Sequence, residues 1–221
     1  MPSYKTMTAL ATQALRSAIF RGELSPGTML VPKALESRLD LGKMAIREAI
    51  RELVGSGLAR ALPNKGAFVA QPPTLEEIKE IYVVRQSIEK KITIRAAARI
   101  TAEAVDRLET LHHKMLREPA GSNDYFLINR KFHITLYEAS GWEFLCRLIN
   151  QMLDQILVFR SQFQYTAADN QPFNRQHEQI LDAIRRGQAK QVGLLVAANL
   201  QSGLDLILKI KEDTQCKKQD R

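Results

Sequence analysis

The sequence predicts a mainly α-helical chain in two parts, a small N-terminal domain built on a helix-turn-helix and a β-hairpin, and a larger all-α helical bundle. Three observations carry that expectation. Residues 35–50, LESRLDLGKMAIREAI, lose helical phase at Asp40-Leu41-Gly42 and regain it afterwards. Short apolar runs on either side of Pro63-Asn64-Lys65-Gly66 have hairpin character. From Thr74 onward the apolar spacing is helical throughout, with no strand pattern.

Taken in order, Thr6 to Phe20 sets Leu10, Ala14, Leu15, Ala18 and Ile19 at helical spacing, and Arg21-Gly22 closes that first helix. Ser25-Pro26-Gly27 turns the chain into the extended Met29-Leu30-Val31. In the next helix Leu35 and Leu39 share one face while Glu36, Ser37 and Arg38 point outward. Beyond the turn, Ile46, Ala49, Ile50 and Leu53 form an apolar stripe, and Lys43, Arg47 and Arg51, four apart, line the other side. A second helix that is apolar behind and cationic in front suits entry into the DNA major groove by its N-terminal end. Leu58–Leu62 and Ala67–Ala70 then pair as a hairpin with Lys65 at its tip, in the place of the wing of a winged helix-turn-helix. One basic helix face is by itself more often plain solvated surface. Helix, turn, basic helix and basic-tipped hairpin in succession point to nucleic acid.

Pro72-Pro73 can continue neither helix nor strand, so residues 72–74 read as a linker between a domain at 1–71 and one at 75–221. Thr74 and Glu77 have capping-box spacing and open a helix to about Arg99. Further helices are expected over 102–117, 124–139, 143–163, 173–186 and 188–211. The breaks fall at 119–122, Gly141, 167–172 and Gly187, and KEDTQCKKQDR reads as a frayed polar tail.

The formal net charge of +8 is uneven. Residues 1–70 hold ten Lys+Arg against five Asp+Glu, and the remaining 22 against 19 leave only +3 for a stretch twice as long. The smaller domain thus carries the excess, which suits a polyanion. No Lys-rich amphipathic helix with aromatic anchors, no signal-type start at MPSYKTMTAL and no transmembrane run is expected, so no membrane partner is predicted. Cys146 and Cys216 form no motif and fit a reducing cytoplasm. The chain lacks G-x-S-x-G, a phosphate-cradling glycine loop, H-E-x-x-H and C-x-x-C, so no enzyme is predicted. The alternatives are a hydrolase using histidines as acid and base, which leaves the winged helix unexplained, and a non-specific architectural DNA binder, which leaves the second domain unexplained.

Residues 15–70 resemble the winged helix of GntR-type bacterial transcription regulators. The resemblance lies in IFRGELSPG at 19–27, REAIREL at 47–53 and PNKGAFV at 63–69, in the family's order and spacing. Where the family usually reads G-V-S-R-T-P-V-R-E, this chain has Asp40, Leu41, Gly42, Lys43, Met44, Ala45, Ile46, Arg47 and Glu48. The family's capping and phosphate-touching hydroxyls are thus Gly42 and Met44, and a bidentate arginine is Lys43. YVVRQSIEKKITIRAA, NRKFHITLYEASGWEFL and QHEQILDAIRRGQAKQV are similar to the helical effector-binding (FCD) domain of the FadR-type subfamily. The resemblance implies a homodimer that binds an inverted-repeat double-stranded operator and is switched by a small carboxylic acid, most simply as a cytoplasmic, nucleoid-associated repressor. Lys43 and Arg47 are expected at base edges, Lys33, Arg51 and Lys65 at phosphates or, for Lys65, the minor groove, with Met44 and Gly66 also in the DNA-binding set.

It also implies a divalent metal, Zn, Ni or Mn, held by an Asp and a His four residues apart and two later histidines. Here those positions are Asn129, His133, His177 and Asn199, so two ligands are neutral amides and a metal would bind weakly. A weakened metal site, a metal-free effector pocket and a cluster of satisfied core polar groups all stand open. Arg85 occupies a position where the family often has an arginine facing the effector, and would grip a carboxylate or else pair with Glu89. Arg160 is a weaker candidate of the same kind, better read as exposed; Tyr82 and Tyr137 read as core; His112 and His113 read as exposed.

Overall fold

The computed structural model describes residues 4–119, 122–163 and 165–219, and the side chains among them other than those of residues 4, 5, 123, 167 and 214–219. Contacts group the chain into two compact units, Met1–Thr74 with Asp154–Gln162, and Leu75–Leu153 with Phe163–Arg221.

In the first unit α1 (Tyr4–Phe20), α2 (Pro32–Leu39) and α3 (Lys43–Gly55) precede a hairpin of β1 (Ala59–Leu62) and β2 (Gly66–Val69). Pro32 starts α2, where its fixed φ suits a first helical turn and no N–H is missed. Asp40 ends it in the left-handed conformation (φ 51°), and extended Gly42 leads into α3. The α3 stripe is buried as the periodicity requires, Ile46, Ala49 and Leu53 completely or nearly so, and α3 packs on α1, whose Ala11 and Leu15 are buried too. Thr12 Oγ1 donates to Glu52 Oε2 at 2.7 Å across the α1–α3 contact. In the hairpin Ala59 pairs with Val69 and Leu62 with Gly66, and a Met29–Phe68 bridge adds the extended segment to the sheet. Asn64 (φ 58°) in the three-residue turn and Gly66 (φ 91°), the first residue of β2, take positive φ.

The second unit is made of α4 (Leu75–Ala97), α5 (Ala102–Arg117), α6 (Asn123–Glu138), the first part of α7 (Glu143–Arg160), α8 (Ala167–Arg185) and α9 (Ala189–Gln219). The α4 helix packs on α9 and α6, α5 on α6 and α8, and α8 on α9. Thr101 Oγ1 caps α5 by accepting from the Ala104 N–H, and Ser122 Oγ caps α6 by accepting from the Asp124 N–H. Of the expected break at 119–122, residues 120 and 121 lie outside the described residues, as do the starting residues 1–3 and the side chain of Cys216.

Two expectations need correction. The 167–172 segment is helical, because the Asp169 carboxylate accepts from both the backbone N–H and the hydroxyl of Thr166 and so starts α8 early. Pro172, the residue that suggested a break, is accommodated near that start, where its ring forfeits one bond, to the Ala168 carbonyl. The α9 backbone stays helical to Gln219, past the expected end at residue 211. By length and composition α9 also passes for a membrane span, with mean hydropathy 1.3 over an 18-residue window within Ala189–Asp213. Its Val192, Val196, Leu200 and Ile207 are instead core residues of the bundle.

Close approach of α9 to α4 depends on Gly193. A Cβ there would lie 2.5 Å from Ile94 Cγ1 and 3.2 Å from the Lys90 carbonyl oxygen. Gly193→Ala gains helix propensity of about 1 kcal/mol but overpacks a helix–helix contact, so a net destabilisation of ~1–2 kcal/mol is expected. Urea unfolding of the full chain checks this; an unchanged or raised midpoint would show that the two helices yield at this point.

Candidate functional site

The exposed face of α3 carries the expected cations. Lys43 is its first residue, Arg47 and Arg51 follow one and two turns later, and all three are exposed. Met44 is 56 % exposed, a large apolar side chain held out in water beside Lys43. Arg51 donates to the Glu48 carboxylate one turn back, which neutralises much of its charge. Lys43, Arg47, Lys33 on α2 and Lys65 at the hairpin tip make no ion pair among the described residues. Gly66 next to Lys65 is exposed. Sequence reasoning passed over Arg60, an exposed cation on β1 opposite Phe68. Its signal was the alternation of the hairpin strand, which puts every second residue outward.

In the helical unit the polar candidates are brought together, and they are buried. Along one face of α4, Tyr82, Arg85, Glu89 and Thr93 recur at helical spacing with at most 3 % exposure. Arg85 is a two-point ion pair with Glu89, Nε on one carboxylate oxygen and Nη2 on the other at 3.2 Å, and its guanidinium lies 5.0 Å from the Tyr82 ring centre. Of the two readings open for Arg85, the structure has the pair with Glu89. Burial disfavours the arginine's charge, but Glu89 more than restores it, so its pKa is raised. Tyr137 on α6 donates its hydroxyl proton to Glu89 Oε2, and the Tyr137 hydroxyl oxygen lies 3.2 Å from His133 Nδ1. His133 Nε2 is 3.3 Å from His177 Nε2 on α8. Asn199 on α9, within hydrogen-bond reach of His133, donates to Gln176 Oε1 at 2.8 Å, and Gln176 donates to Ser202 Oγ at 2.9 Å. Arg85, His133, His177 and Asn199 therefore belong to one polar region spanning α4, α6, α8 and α9, and Asn129, half-buried, stands one turn before His133 on α6. Sequence reasoning missed Gln176, adjacent to His177 in the chain.

Two exposure expectations are corrected. His112 is buried, its ring 6.4 Å from that of His177, because the inner face of α5 includes it; His113 is exposed. Arg160 is buried and groups with the first unit.

Both inner histidines are held neutral. Burial, then the Arg85 charge, lowers His133 from 6.5 to about 3; burial, then His133, pushes His177 well below its ordinary value. These depressed folded-state values mean that the unfolded chain takes up protons below about pH 6.5 while the folded chain does not. The associated stability is therefore full above that pH and lost as the pH falls, for His133 on the way down to about pH 3. The His133 ring should contribute a slope of about 1.4 kcal/mol per pH unit through that window, and His177 adds to it in the same direction. Unfolding measured between pH 7.5 and 5 would show it; a flat profile down to the carboxylate range would contradict the burial of neutral rings.

The donor set does not suit a divalent ion. A 3.3 Å separation is compatible with two imidazoles sharing one ion at about 2.0–2.1 Å from each. The remaining candidates, Asn129 and Asn199, are neutral, and no group of three His, Cys, Asp or Glu able to hold a metal exists among the described residues. The nearby carboxylate, Glu89, is taken by Arg85 and Tyr137. Zn, Ni or Mn would meet two imidazoles and no anion.

Comparison with known proteins agrees with both units. Residues 8–69 match the family of bacterial regulatory proteins, gntR family, and residues 80–202, more than half of the chain, match the FCD domain. The HTH-type transcriptional repressor RspR of Escherichia coli is 24 % identical over 205 residues, covering 90 % of this chain and 88 % of that one. The HTH-type transcriptional regulator LutR of Bacillus subtilis is 24 % identical over 209 residues, 86 % and 95 % of the two chains. Among solved structures, E. coli McbR/YncC superposes with a TM-score of 0.75 at 20 % identity, over 95 % of this chain and 99 % of that one. A GntR transcriptional regulator from Rhodococcus sp. RHA1 gives 0.67 at 23 % identity, over 91 % and 97 %.

Proposed function

The chain belongs to the GntR family of bacterial regulatory proteins with an FCD domain, a DNA-binding transcription regulator with an effector-binding domain, and from that premise we propose the following working scheme. The protein acts in the cytoplasm as a homodimer on an inverted-repeat operator, one recognition helix and one wing per half-site, and performs no catalysis. The observation that carries the DNA half is the exposed Lys43–Arg47 row at the N-terminal end of α3, with Lys65 at the hairpin tip. Lys43 and Arg47 are assigned to base edges and Met44 to an apolar contact beside them, while Lys33, Lys65 and Gly66 border the sugar–phosphate backbone. Arg51, tied to Glu48, contributes less.

A small organic effector binds at the region of Asn129, His133, His177 and Asn199 and biases how the two winged helices are presented, lowering operator affinity as in a repressor. The carboxylic acid expected at Arg85 finds Glu89 already there. Anisotropy of a labelled fragment from upstream of the gene, in excess random DNA, tests the scheme. Binding that survives the competitor is expected; binding that vanishes with competitor and moderate salt, for this and for sites selected from a random library, would reduce the protein to non-specific charge attraction. His133→Ala is expected to leave operator affinity intact and abolish its response to effector. An unchanged response would move the pocket elsewhere.

A further inference from the structure

The buried polar chain of the helical unit has a direction. Tyr137 has one hydroxyl proton and gives it to Glu89 Oε2, so its oxygen accepts from His133 Nδ1. That places the proton of neutral His133 on Nδ1 and leaves its Nε2 a bare acceptor. His177 then donates Nε2–H across the 3.3 Å gap, and its own remaining nitrogen, Nδ1, is a lone pair. This Nδ1 is fully buried and has no hydrogen-bond partner among the described residues. Asn129 Oδ1, one helical turn before His133 on the same face of α6, is a second buried acceptor without a partner among them. At the other end Arg85 and Glu89 cancel. The network thus carries no net charge, and on the α6–α8 side two of its atoms without a partner, His177 Nδ1 and Asn129 Oδ1, are acceptors.

We propose that this cluster takes an uncharged small molecule bearing hydrogen-bond donors, of the class of primary amides and polyols, and neither a divalent metal ion nor a free carboxylate. The proposal rests on the reading of the helical unit as an effector-binding domain. A donor-bearing neutral molecule satisfies His177 Nδ1 and Asn129 Oδ1, whose unmade hydrogen bonds are costly at this depth. A carboxylate brings no proton to either acceptor. To gain Arg85 it must displace Glu89, which leaves a buried anion without its partner. A dication finds no anionic ligand.

The test uses the full-length protein and matched pairs, lactamide against lactate and benzamide against benzoate, by titration calorimetry. The wild type is expected to bind the amide of a pair at least about tenfold more tightly than its carboxylate. Glu89→Gln, which keeps an acceptor for Arg85 and Tyr137 but removes the charge, should lose or reverse that preference once circular dichroism shows it folded. Carboxylates bound by the wild type as tightly as amides overturn the proposal, and so does silence of the wild type toward every pair. A second arm starts from the wild type alone. Dialysis against Zn(II) or Ni(II), with metal content read by mass spectrometry, should leave the wild type without a stoichiometric ion. One ion per chain that His133→Ala removes overturns the proposal. Sequence-specific DNA binding, measured with no probe present, reports on the regulator reading separately. A carboxylate that binds and releases operator DNA would overturn this inference and leave that reading standing, whereas absence of any selective DNA binding would strike the reading itself.

Discussion

Glu89→Ala is expected to destabilise the helical unit by about 3–5 kcal/mol, because it strands a guanidinium inside the protein. Arg85 and Glu89 are 4 % and 0 % exposed at the side chain, so little water can take over from the missing carboxylate. The same substitution removes the acceptor of the Tyr137 hydroxyl, whose pKa is raised first by burial and then by Glu89. Urea unfolding followed by circular dichroism measures the loss. The double substitution Arg85→Met with Glu89→Leu should recover much of it, since a buried pair exchanged for apolar groups of similar volume is often neutral. A Glu89→Ala midpoint within about 1 kcal/mol of the wild type would mean that Arg85 finds other partners and that the pair does not organise the site.

Arg47→Ala is expected to lower discrimination between operator and random DNA by about 1–3 kcal/mol. Arg47 is exposed one turn into α3 and has no ion-pair partner among the described residues, so its planar fork is free to meet two acceptors on a guanine edge. Lys33→Ala serves as the contrast. It should weaken binding to operator and random DNA alike and reduce the salt dependence, as a phosphate contact does. Competition anisotropy at two salt concentrations separates the two behaviours. Equal losses on both DNAs for Arg47→Ala would reassign it to the backbone, and undiminished discrimination would remove it from the interface.

Much of the fold was legible because local rules and tertiary packing agree. The α3 stripe of Ile46, Ala49, Ile50 and Leu53 is written in the periodicity and is buried in the structure. The hairpin needs residues of positive φ, and Asn64 and Gly66 supply them at the right places. The 167–172 stretch reads as a break in sequence, yet the Asp169 carboxylate on Thr166 opens α8 ahead of Pro172, which sits near the helix start. His112 was misjudged because adjacent histidines on a helix differ in exposure by the turn angle alone, and nothing local says which one faces inward.

The sequence by itself determined the winged helix, its cationic face and the helical character of everything after the linker, since each depends on spacing within one element. It also brought Asn129, His133, His177 and Asn199 forward as a set, through resemblance. Only the tertiary structure decided their chemistry. Whether Arg85 faces a ligand or Glu89, which nitrogen of each histidine carries its proton, and whether the two rings stay neutral all depend on atoms from α4, α6, α8 and α9 meeting within hydrogen-bond distance at low exposure. Burial sets the cost of an unmatched charge, and burial is a property of the packed bundle that no single helix carries in its sequence.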